Sequence, residues 1–424
     1  MAVGPPPDAG ARQPVHTVYG GAHLFRADSA RKLGDVALRT LDEYAPAAAA
    51  FGRALGLAPT LARLVYPRVR DKLAREPVED FRIDFEDGYG NRPDDEEDAT
   101  ARSAAAEVAR GRAQRSLPPF IGIRIKPLSR ELRARGARTL ELFLGALLER
   151  TAGRLPDRFV VTLPKVVAVE QVTDLVGLLA GVEAARRLAP GTLRLELMVE
   201  TPQALSGADG RSPLPALVAA AQGRCVAAHF GVYDFTASLE ITAAHQRMRH
   251  PACDLARQLM QLALAGTGVW LSDGATTLMP VAPHRARDGR RLTPRQRAEN
   301  RAGVFRGWRA HFDDVRHSLA NAYYQGWDLH PAQLPTRYAA LFSFFLEGFD
   351  AASARLKAFV ERAGQATLVG DVFDDAATGQ GLLNFFLRGL NCGALTEADA
   401  LATGLTLAEL RTRSFLRILE GRRR

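Results

Sequence analysis

The chain has 424 residues, of which 47% are hydrophobic and 24% are charged, so it has ample apolar material for a large globular core. No run of about 18 apolar residues occurs, which excludes a transmembrane helix, and residues 1–14 resemble a disordered leader rather than a signal peptide. Three widely separated cysteines, Cys225, Cys253 and Cys392, lack the spacing of metal ligands. They favour a reducing compartment, and we expect a cytoplasmic protein without a membrane partner.

The net charge is +9, with 56 Lys and Arg residues against 47 Asp and Glu residues. Basic side chains cluster in residues 130–138, 284–301 and 422–424, and no aromatic–basic pattern or nucleic-acid motif accompanies them. Most of this charge is interpreted as a solvated surface, and no nucleic-acid partner is predicted. A small anionic substrate, such as a carboxylate, also fits the positive charge.

Short apolar runs alternate with segments of helical periodicity in the first half of the chain. The first predicted strand lies within His16–Phe25 and ends in a Gly-Gly-Ala turn. The other predicted strands there are Phe81–Phe85, Phe120–Ile125, Phe159–Leu163, Leu193–Val199 and Val226–Phe230. The predicted helices between them are Ser29–Tyr44, Asp94–Arg110, Leu132–Glu149, Gln171–Leu188 and Leu214–Ala221. This alternation is typical of parallel strands joined by crossover helices. Because no glycine-rich phosphate loop follows the first strand, it predicts an α/β fold of the (β/α)8 TIM-barrel type.

The second half of the chain completes the predicted barrel and adds helices. The seventh strand is predicted at Val269–Leu271 or Thr277–Val281 and the eighth at Gly326–Leu329, with a mobile excursion at 284–301 between them. The further predicted helices are Asn300–Tyr324, Tyr338–Phe349, Ala351–Ala363, Gly379–Gly389 and Thr396–Leu410. The predicted domains are the leader (1–14), a catalytic barrel (15–345) with an inserted segment at about 241–322, and a helical C-terminal segment (346–424).

The carboxyl ends of parallel barrel strands open into one mouth, so the residues at those ends indicate function. Ionisable side chains lie at or near six of the predicted ends: Asp84, Glu86, Asp87, Arg124, Lys165, Glu200, Asp234 and His330. Glu200 is the clearest case, because it directly follows an apolar strand and precedes Pro202. An acid that caps a helix starting at Pro202 is the competing interpretation, and a solvated acidic turn is the competing interpretation of residues 84–87.

The two acids that follow neighbouring strands, Glu200 and Asp234, suit Mg²⁺. This ion takes one or two protein carboxylates and fills its other positions with water and substrate. A carboxylate of Asp84, Glu86 or Asp87 is predicted to hold metal-bound waters. A metal beside a bound 2-oxo acid polarises its carbonyl and stabilises an enolate, which is the chemistry of aldol-type carbon–carbon cleavage and formation.

Two basic residues belong to the same predicted site. Arg124 is predicted to form two hydrogen bonds with a substrate carboxylate, which lysine does less well. Lys165 is predicted to pair with one of the neighbouring acids rather than to form a Schiff base, because a metal makes the imine unnecessary.

Six short motifs occur in one order along the chain: DFEDGYG (Asp84–Gly90), IRIKP (Ile123–Pro127), LPKV (Leu163–Val166), VETPQAL (Val199–Leu205), FGVYDFTASL (Phe230–Leu239) and GWDLHPAQ (Gly326–Gln333). Together they resemble the citrate lyase β-subunit-like (CitE-like) superfamily of HpcH/HpaI aldolases, near malyl-CoA lyases and malate synthase. The resemblance implies a TIM barrel with Mg²⁺ bound by Glu200 and Asp234, and with Arg124 on the acid group of the substrate. It also implies homo-oligomers, as trimers or hexamers, in which Asp374 or its neighbour Asp375 reaches the site of another subunit for acid–base chemistry.

We therefore expect a Mg²⁺-dependent carbon–carbon lyase or aldolase, with Mn²⁺ as an alternative ion. Its substrate is expected to be a small hydroxy- or oxo-dicarboxylate or the CoA thioester of one. The predicted catalytic residues are Arg124, Glu86 and Asp374, and the predicted substrate-binding residues are Arg124 and Glu200.

The use of CoA stays open at this point. The R-x-N motif of the superfamily is replaced here by Arg124–Lys126, and only Arg26 and Arg31 match the basic residues that would meet a CoA nucleotide. One alternative function is phosphoryl transfer from phosphoenolpyruvate, or other enolate chemistry on the same barrel. The alternative outside the enzymes is a nucleic-acid-binding or scaffold protein built on an inactive barrel.

Overall fold

The computed structural model describes residues 12–286, 291–361, 367–369, 372–374 and 376–422. Its centre is a closed barrel of eight parallel strands, in which each strand pairs with the next in sequence and the last pairs with the first. The strands are β1 (His16–Gly21), β2 (Asp80–Asp84), β3 (Phe120–Arg124), β4 (Phe159–Leu163), β5 (Arg194–Val199), β6 (Cys225–Phe230), β7 (Trp270–Ala275) and β8 (Gln325–Asp328). The predicted α/β TIM barrel is confirmed.

Alternation along the strands separates the interior of the barrel from its outer face. In β5, Glu196 contacts Arg82 of β2, which is not a neighbouring strand, so this pair spans the barrel interior. Residues two positions apart share a face of a strand, so Met198 also points inward, and Leu195 and Leu197 lie buried on the opposite face. The apolar outer positions pack under the helices, while several inner positions, such as Glu196 and Arg82, carry polar side chains.

Helices surround the barrel and extend it at the C-terminal end. They are α1 (Ser29–Tyr44), α2 (Ala48–Leu55), α3 (Pro59–Arg75), α4 (Asp94–Gln114), α5 (Arg133–Arg150), α6 (Val169–Arg186), α7 (Pro202–Leu205), α8 (Leu214–Ala220), α9 (Val232–Ser238), α10 (Pro251–Leu264), α11 (Pro294–Ala320), α12 (Leu334–Glu361), α13 (Ala376–Asn391), α14 (Glu397–Leu401), α15 (Leu407–Thr412) and α16 (Phe415–Arg422). Six of these helices were not predicted: α2, α3, α7, α9, α10 and α16. Of these, α2 and α3 pack against α11 and α12.

The region predicted as an inserted segment, at about 241–322, contains α10, β7 and α11, which are regular units of the barrel. Of the two predictions for the seventh strand, Val269–Leu271 overlaps β7, whereas Thr277–Val281 is wrong because these residues form no strand. Thr293 begins α11, since its Oγ1 accepts the N–H of Gln296 at 3.2 Å. Residues 294–301 are therefore helical and are not part of a mobile excursion.

The predicted domain boundaries fall inside packed structure. Helix α12 runs through residue 345 and replaces the two helices predicted at Tyr338–Phe349 and Ala351–Ala363. In the predicted leader, Gln13 is buried and its Nε2 donates to Gln325 Oε1 at 3.2 Å. These contacts tie residue 13 to β8 and leave no break in the core at either predicted boundary.

The C-terminal part begins with two short antiparallel strands, β9 (Thr367–Val369) and β10 (Val372–Asp374), and continues as α13–α16. The predicted helical C-terminal part is confirmed. Only the backbone of β9 and β10 is described, so the side chain of Asp374 and the whole of Asp375 lie outside the described residues. Within the described ranges, no helix combines the length and apolar character needed to cross a membrane.

Candidate active site

The carboxyl ends of β2, β3 and β5 bring three predicted residues to the barrel mouth. Asp84 and Arg124 are the last residues of β2 and β3, and they are paired across the sheet in register. Glu200 directly follows β5 and continues the inward series of Glu196 and Met198. Alternation along the strand therefore explains why an apolar run ends on a carboxylate that points into the mouth.

Arg124 and Asp84 form a buried, two-pronged ion pair. Arg124 Nε donates to Asp84 Oδ1 at 2.7 Å, and Nη2 donates to Asp84 Oδ2 at 2.5 Å. The Asp84 carboxylate also accepts the backbone N–H groups of Glu86 and Gly88, at 2.9 and 2.7 Å, which fixes the turn after β2. Burial works against the charge of Arg124, but Asp84 and Glu86 outweigh it and raise the pKa of the guanidinium.

Lys165 lies at the centre of the acidic side chains. Its Nζ is 2.6 Å from Glu86 Oε1 and 3.6 Å from both Asp87 Oδ1 and Asp234 Oδ1. Its backbone N–H donates to Glu200 Oε1 at 2.6 Å. Lys165 has a φ of 49°, a left-handed conformation that non-glycine residues seldom adopt and that is concentrated at functional sites. Burial opposes its charge, yet Glu200 and Glu86 raise its pKa.

Glu200 is buried, with 1% of its surface exposed, and it lies near a second carboxylate. Burial raises its pKa to about 7; the charge of Lys165 opposes this rise, and the charge of Asp234 adds to it. Asp234 stands in the first turn of α9, and its side chain is 44% exposed. Gly231, between β6 and α9, makes room for Glu200, because a Cβ there would lie 2.5 Å from Glu200 Cβ.

The charges at the mouth fit a divalent cation. Five carboxyl groups meet two cations there: Asp84, Glu86, Asp87, Glu200 and Asp234 against Arg124 and Lys165. The described side chains contain no group of three His, Cys, Asp or Glu residues arranged to ligate a metal. That excludes a Zn²⁺-type cage in this part of the chain, but Mg²⁺ needs only one or two protein carboxylates. Glu200, which is buried, and Asp234, which is half-exposed at the mouth, therefore fit Mg²⁺.

A layer of polar side chains lies inside the barrel below the mouth, and its residues were not predicted as part of the site. Tyr19 of β1 shares a hydrogen bond of 3.2 Å with His229 Nδ1 of β6, and its ring lies 4.9 Å below the Arg124 guanidinium. His229 Nε2 is 3.3 Å from Glu196, which also binds Arg82. The signal that predicts this layer is the polar residue at alternate positions of an otherwise apolar strand, as in β5 and β6.

Asp87 lies at the rim of the cluster around Lys165. The Asp87 side chain is 60% exposed at the rim. The Nδ1 atom of His330 accepts the N–H of Ala332 at 3.1 Å, so His330 caps the short turn after β8, and the structure gives it no ion pair. Asp374 lies outside the described side chains. The roles assigned to these residues stay predictions.

Solved structures of citrate lyase type share this barrel. A citrate lyase from Burkholderia xenovorans LB400 superposes with a TM-score of 0.60 at 19% identity, covering 94% of this chain and 98% of that chain. CitE from Mycobacterium tuberculosis, in complex with magnesium, acetoacetate and coenzyme A, gives a TM-score of 0.50 at 17% identity and covers 90% and 99%. The resemblance to the citrate lyase β-subunit-like superfamily is thus confirmed at the level of the fold.

The sequence itself identifies the family of this chain. Residues 3–418 match the family described as DUF6986, a domain of unknown function, and the chain belongs to that family. No curated protein sequence matches the chain.

Proposed function

We propose that the protein is a Mg²⁺-dependent carbon–carbon lyase or aldolase that acts on a small hydroxy- or oxo-carboxylate or on its CoA thioester. The observation that supports this most is the pair of acids at the mouth. Glu200 and Asp234, from adjacent units of the barrel, lie close enough for the charge of one to raise the pKa of the other. They would hold Mg²⁺, which supplies stabilisation of negative charge on a substrate oxygen when bound.

The basic residues of the mouth have separate roles in this proposal. Arg124 is rigidly held by Asp84 and offers its remaining N–H groups to the acid group of the substrate. Lys165 keeps Glu86 in place and reaches toward Asp234, so it keeps the acidic cluster together before a cation binds. Glu86 contacts both basic residues, at 3.0 Å from Arg124 Nη1 and 2.6 Å from Lys165 Nζ, and is the candidate for orienting water.

A cavity beside the mouth supports a substrate larger than a free carboxylate. It has a volume of about 370 Å³, and residues of β1, α1 and the turn after β8 line it. Arg26 and Lys32 stand on this wall, and Tyr19 joins it to the mouth. Basic side chains next to such a cavity suit the phosphates of a CoA carrier. The likeness of the fold to CitE, whose structure contains magnesium, acetoacetate and coenzyme A, agrees with this part of the proposal.

The proposal also includes a homo-oligomer, as a trimer or hexamer. In that assembly, Asp374 of one subunit serves acid–base chemistry in the site of another. Sedimentation of the full chain tests the assembly. Mixing an Asp374→Asn chain with a Glu200→Gln chain tests the shared site, because mixed oligomers then regain activity at a fraction of their sites.

The decisive experiment measures Mg²⁺-dependent cleavage of hydroxy-acid CoA thioesters and of the free acids by the full chain. Glu200→Gln and Asp234→Asn are expected to abolish turnover and to keep the circular-dichroism spectrum. The matched control is Asp157→Asn, because Asp157 is an exposed acid just before β4, at the opposite end of the barrel. Full activity in Glu200→Gln, or phosphate release from phosphoenolpyruvate in place of carbon–carbon cleavage, would overturn the proposal.

A further inference from the structure

A second cavity, of about 510 Å³, lies at the end of the barrel opposite to the mouth. Its walls are the end of α10, the first residues of β7, the turn before β8, and one face of α13. The amino ends of the strands open here, so the cavity is remote from Glu200 and Asp234 at the carboxyl ends. A cavity of this size matches the usual volume of small-molecule sites, about 300–1,000 Å³.

Arginines buried elsewhere in this protein have carboxylate partners. Five are almost fully buried in the described part of the chain, and each forms an ion pair: Arg82 with Glu196, Arg124 with Asp84, Arg224 with Glu183, Arg257 with Asp273 and Arg337 with Asp328. This pattern follows from physical chemistry, because a buried charge is costly unless an opposite charge and hydrogen bonds compensate it.

Arg388, on the wall of the second cavity, is half-buried and is held by neutral groups instead. Its Nη1 donates to Gln13 Oε1 at 2.7 Å, and its guanidinium carbon lies 4.6 Å from the centre of the Tyr324 ring. Among the described residues, no carboxylate pairs with it, and burial lowers its pKa, as does the positive charge of Arg413 on the same wall. The cavity wall therefore carries a guanidinium that Gln13 and Tyr324 hold in place and that no described carboxylate neutralises.

The remaining lining of the cavity is apolar to a large extent. Leu264, Val269, Trp270, Leu271 and Leu387 line it. We propose that this cavity is a binding site for a small organic anion, whose acid group pairs with Arg388 and whose apolar or aromatic body lies against Trp270 and Leu271. Arg388 supplies a planar donor pair for a carboxylate, sulfonate or phosphate group. Burial of the body against these side chains adds affinity that an inorganic anion cannot gain.

The test is a calorimetric titration of the full chain with naphthalene-2-carboxylate and with its neutral carboxamide. The two probes have the same ring, so the difference in their affinities reports the anion contact. The carboxylate is expected to bind at least 10-fold more tightly than the carboxamide, and sulfate is expected to bind more weakly than the carboxylate. In Arg388→Gln, the two naphthalene probes are expected to bind with equal affinity.

Two control variants keep the result interpretable. Arg316→Gln removes another ring-stacked arginine, 5.3 Å from the Phe344 ring, but that arginine pairs with Glu347 outside the cavity. This variant and the mouth variant Glu200→Gln are expected to retain the 10-fold preference for the carboxylate. Arg413→Gln, on the exposed rim, is expected to weaken carboxylate binding several-fold without disturbing the core.

Three results would overturn the inference. The first is equal binding of the carboxylate and the carboxamide to the unmodified chain, and the second is an unchanged preference in Arg388→Gln. The third is a change of oligomeric state in Arg388→Gln together with no binding of either probe. That result would assign the cavity to a contact with another protein chain.

Discussion

Replacement of Gly231 by alanine would disturb the proposed metal site through a single added methyl group. The backbone of Gly231, with φ −97° and ψ 90°, is open to alanine, so the substitution adds no conformational strain of its own. The added Cβ would lie 2.5 Å from Glu200 Cβ and 2.7 Å from Glu200 Oε2. Because Glu200 Cβ is fixed to the backbone, the glutamate has to shift, and overpacking of this kind costs about 1–3 kcal/mol.

A shifted Glu200 no longer meets Asp234 in the geometry that the metal needs. The expected loss of Mg²⁺ affinity is about 10–100-fold, as for other changes that misplace a ligand. Calorimetric titration with Mg²⁺ measures it, and denaturant unfolding measures the loss of stability. Gly181→Ala in α6 is the control, because no atom lies within 4 Å of its added Cβ. If Gly231→Ala bound Mg²⁺ as tightly as the unmodified chain, the assignment of Glu200 as a ligand would be wrong.

Three further predictions concern charges. Arg82→Met removes the arginine that Glu196 and Asp80 share inside the barrel, so it should lower the free energy of unfolding by about 3–5 kcal/mol in denaturant titrations. Arg75→Met, which breaks an exposed pair, should change this free energy little, and equal losses in the two variants would contradict the prediction. Burial raises the pKa of Glu200 to about 7, so Mg²⁺ has to displace a proton from Glu200 below that pH. The affinity for Mg²⁺ should therefore rise by up to tenfold between pH 6 and 7 and level off above pH 7. An affinity that does not change with pH would refute this prediction. Lys165→Met removes a cation 3.6 Å from Asp234 and keeps the backbone N–H that donates to Glu200. Because the positive charge of Lys165 repels a metal ion, Mg²⁺ should bind this variant more tightly. Weaker binding of Mg²⁺ would show that Lys165 supports the metal site.

The barrel was predictable from sequence because its outward-facing residues are apolar and its strands alternate with helices. The seventh strand was the hardest to place, since β7 has the sequence WLSDGA. Its Asp273 is fully buried, and Arg257 Nε lies 2.8 Å from both carboxylate oxygens. Asp273 makes the sequence of β7 resemble that of a loop, because the residue that neutralises its charge, Arg257, lies 16 positions earlier in the chain.

The helix predictions were wrong where tertiary packing, rather than local sequence, determines the helix. α3 has an apolar stripe of Leu61, Val65, Val69 and Leu73, but Pro67 lies inside it and argues locally against a helix. The first strand, by contrast, was predicted to end in the Gly-Gly-Ala turn, and β1 does end there, at Gly21, before a 3₁₀ turn at Ala22–Leu24.

Much of the candidate site was predictable, because the carboxyl ends of all the parallel strands lie at the same end of the barrel. Asp84, Glu86, Lys165, Glu200 and Asp234 are brought together there. The layer of Tyr19 and His229 was not predictable in the same way. Its residues lie within strands, and their contact depends on which positions of two distant strands point inward at the same height.

In the proposed site, Glu200 and Asp234 share one divalent ion. A crystal of the full chain soaked with Mg²⁺ and pyruvate tests it directly. We expect one ion bound by a Glu200 oxygen and an Asp234 oxygen, with the pyruvate oxygens and water completing its coordination. An ion bound elsewhere, or a mouth in which Glu200 stays protonated and bound only to the N–H of Lys165 at saturating Mg²⁺, would contradict the account.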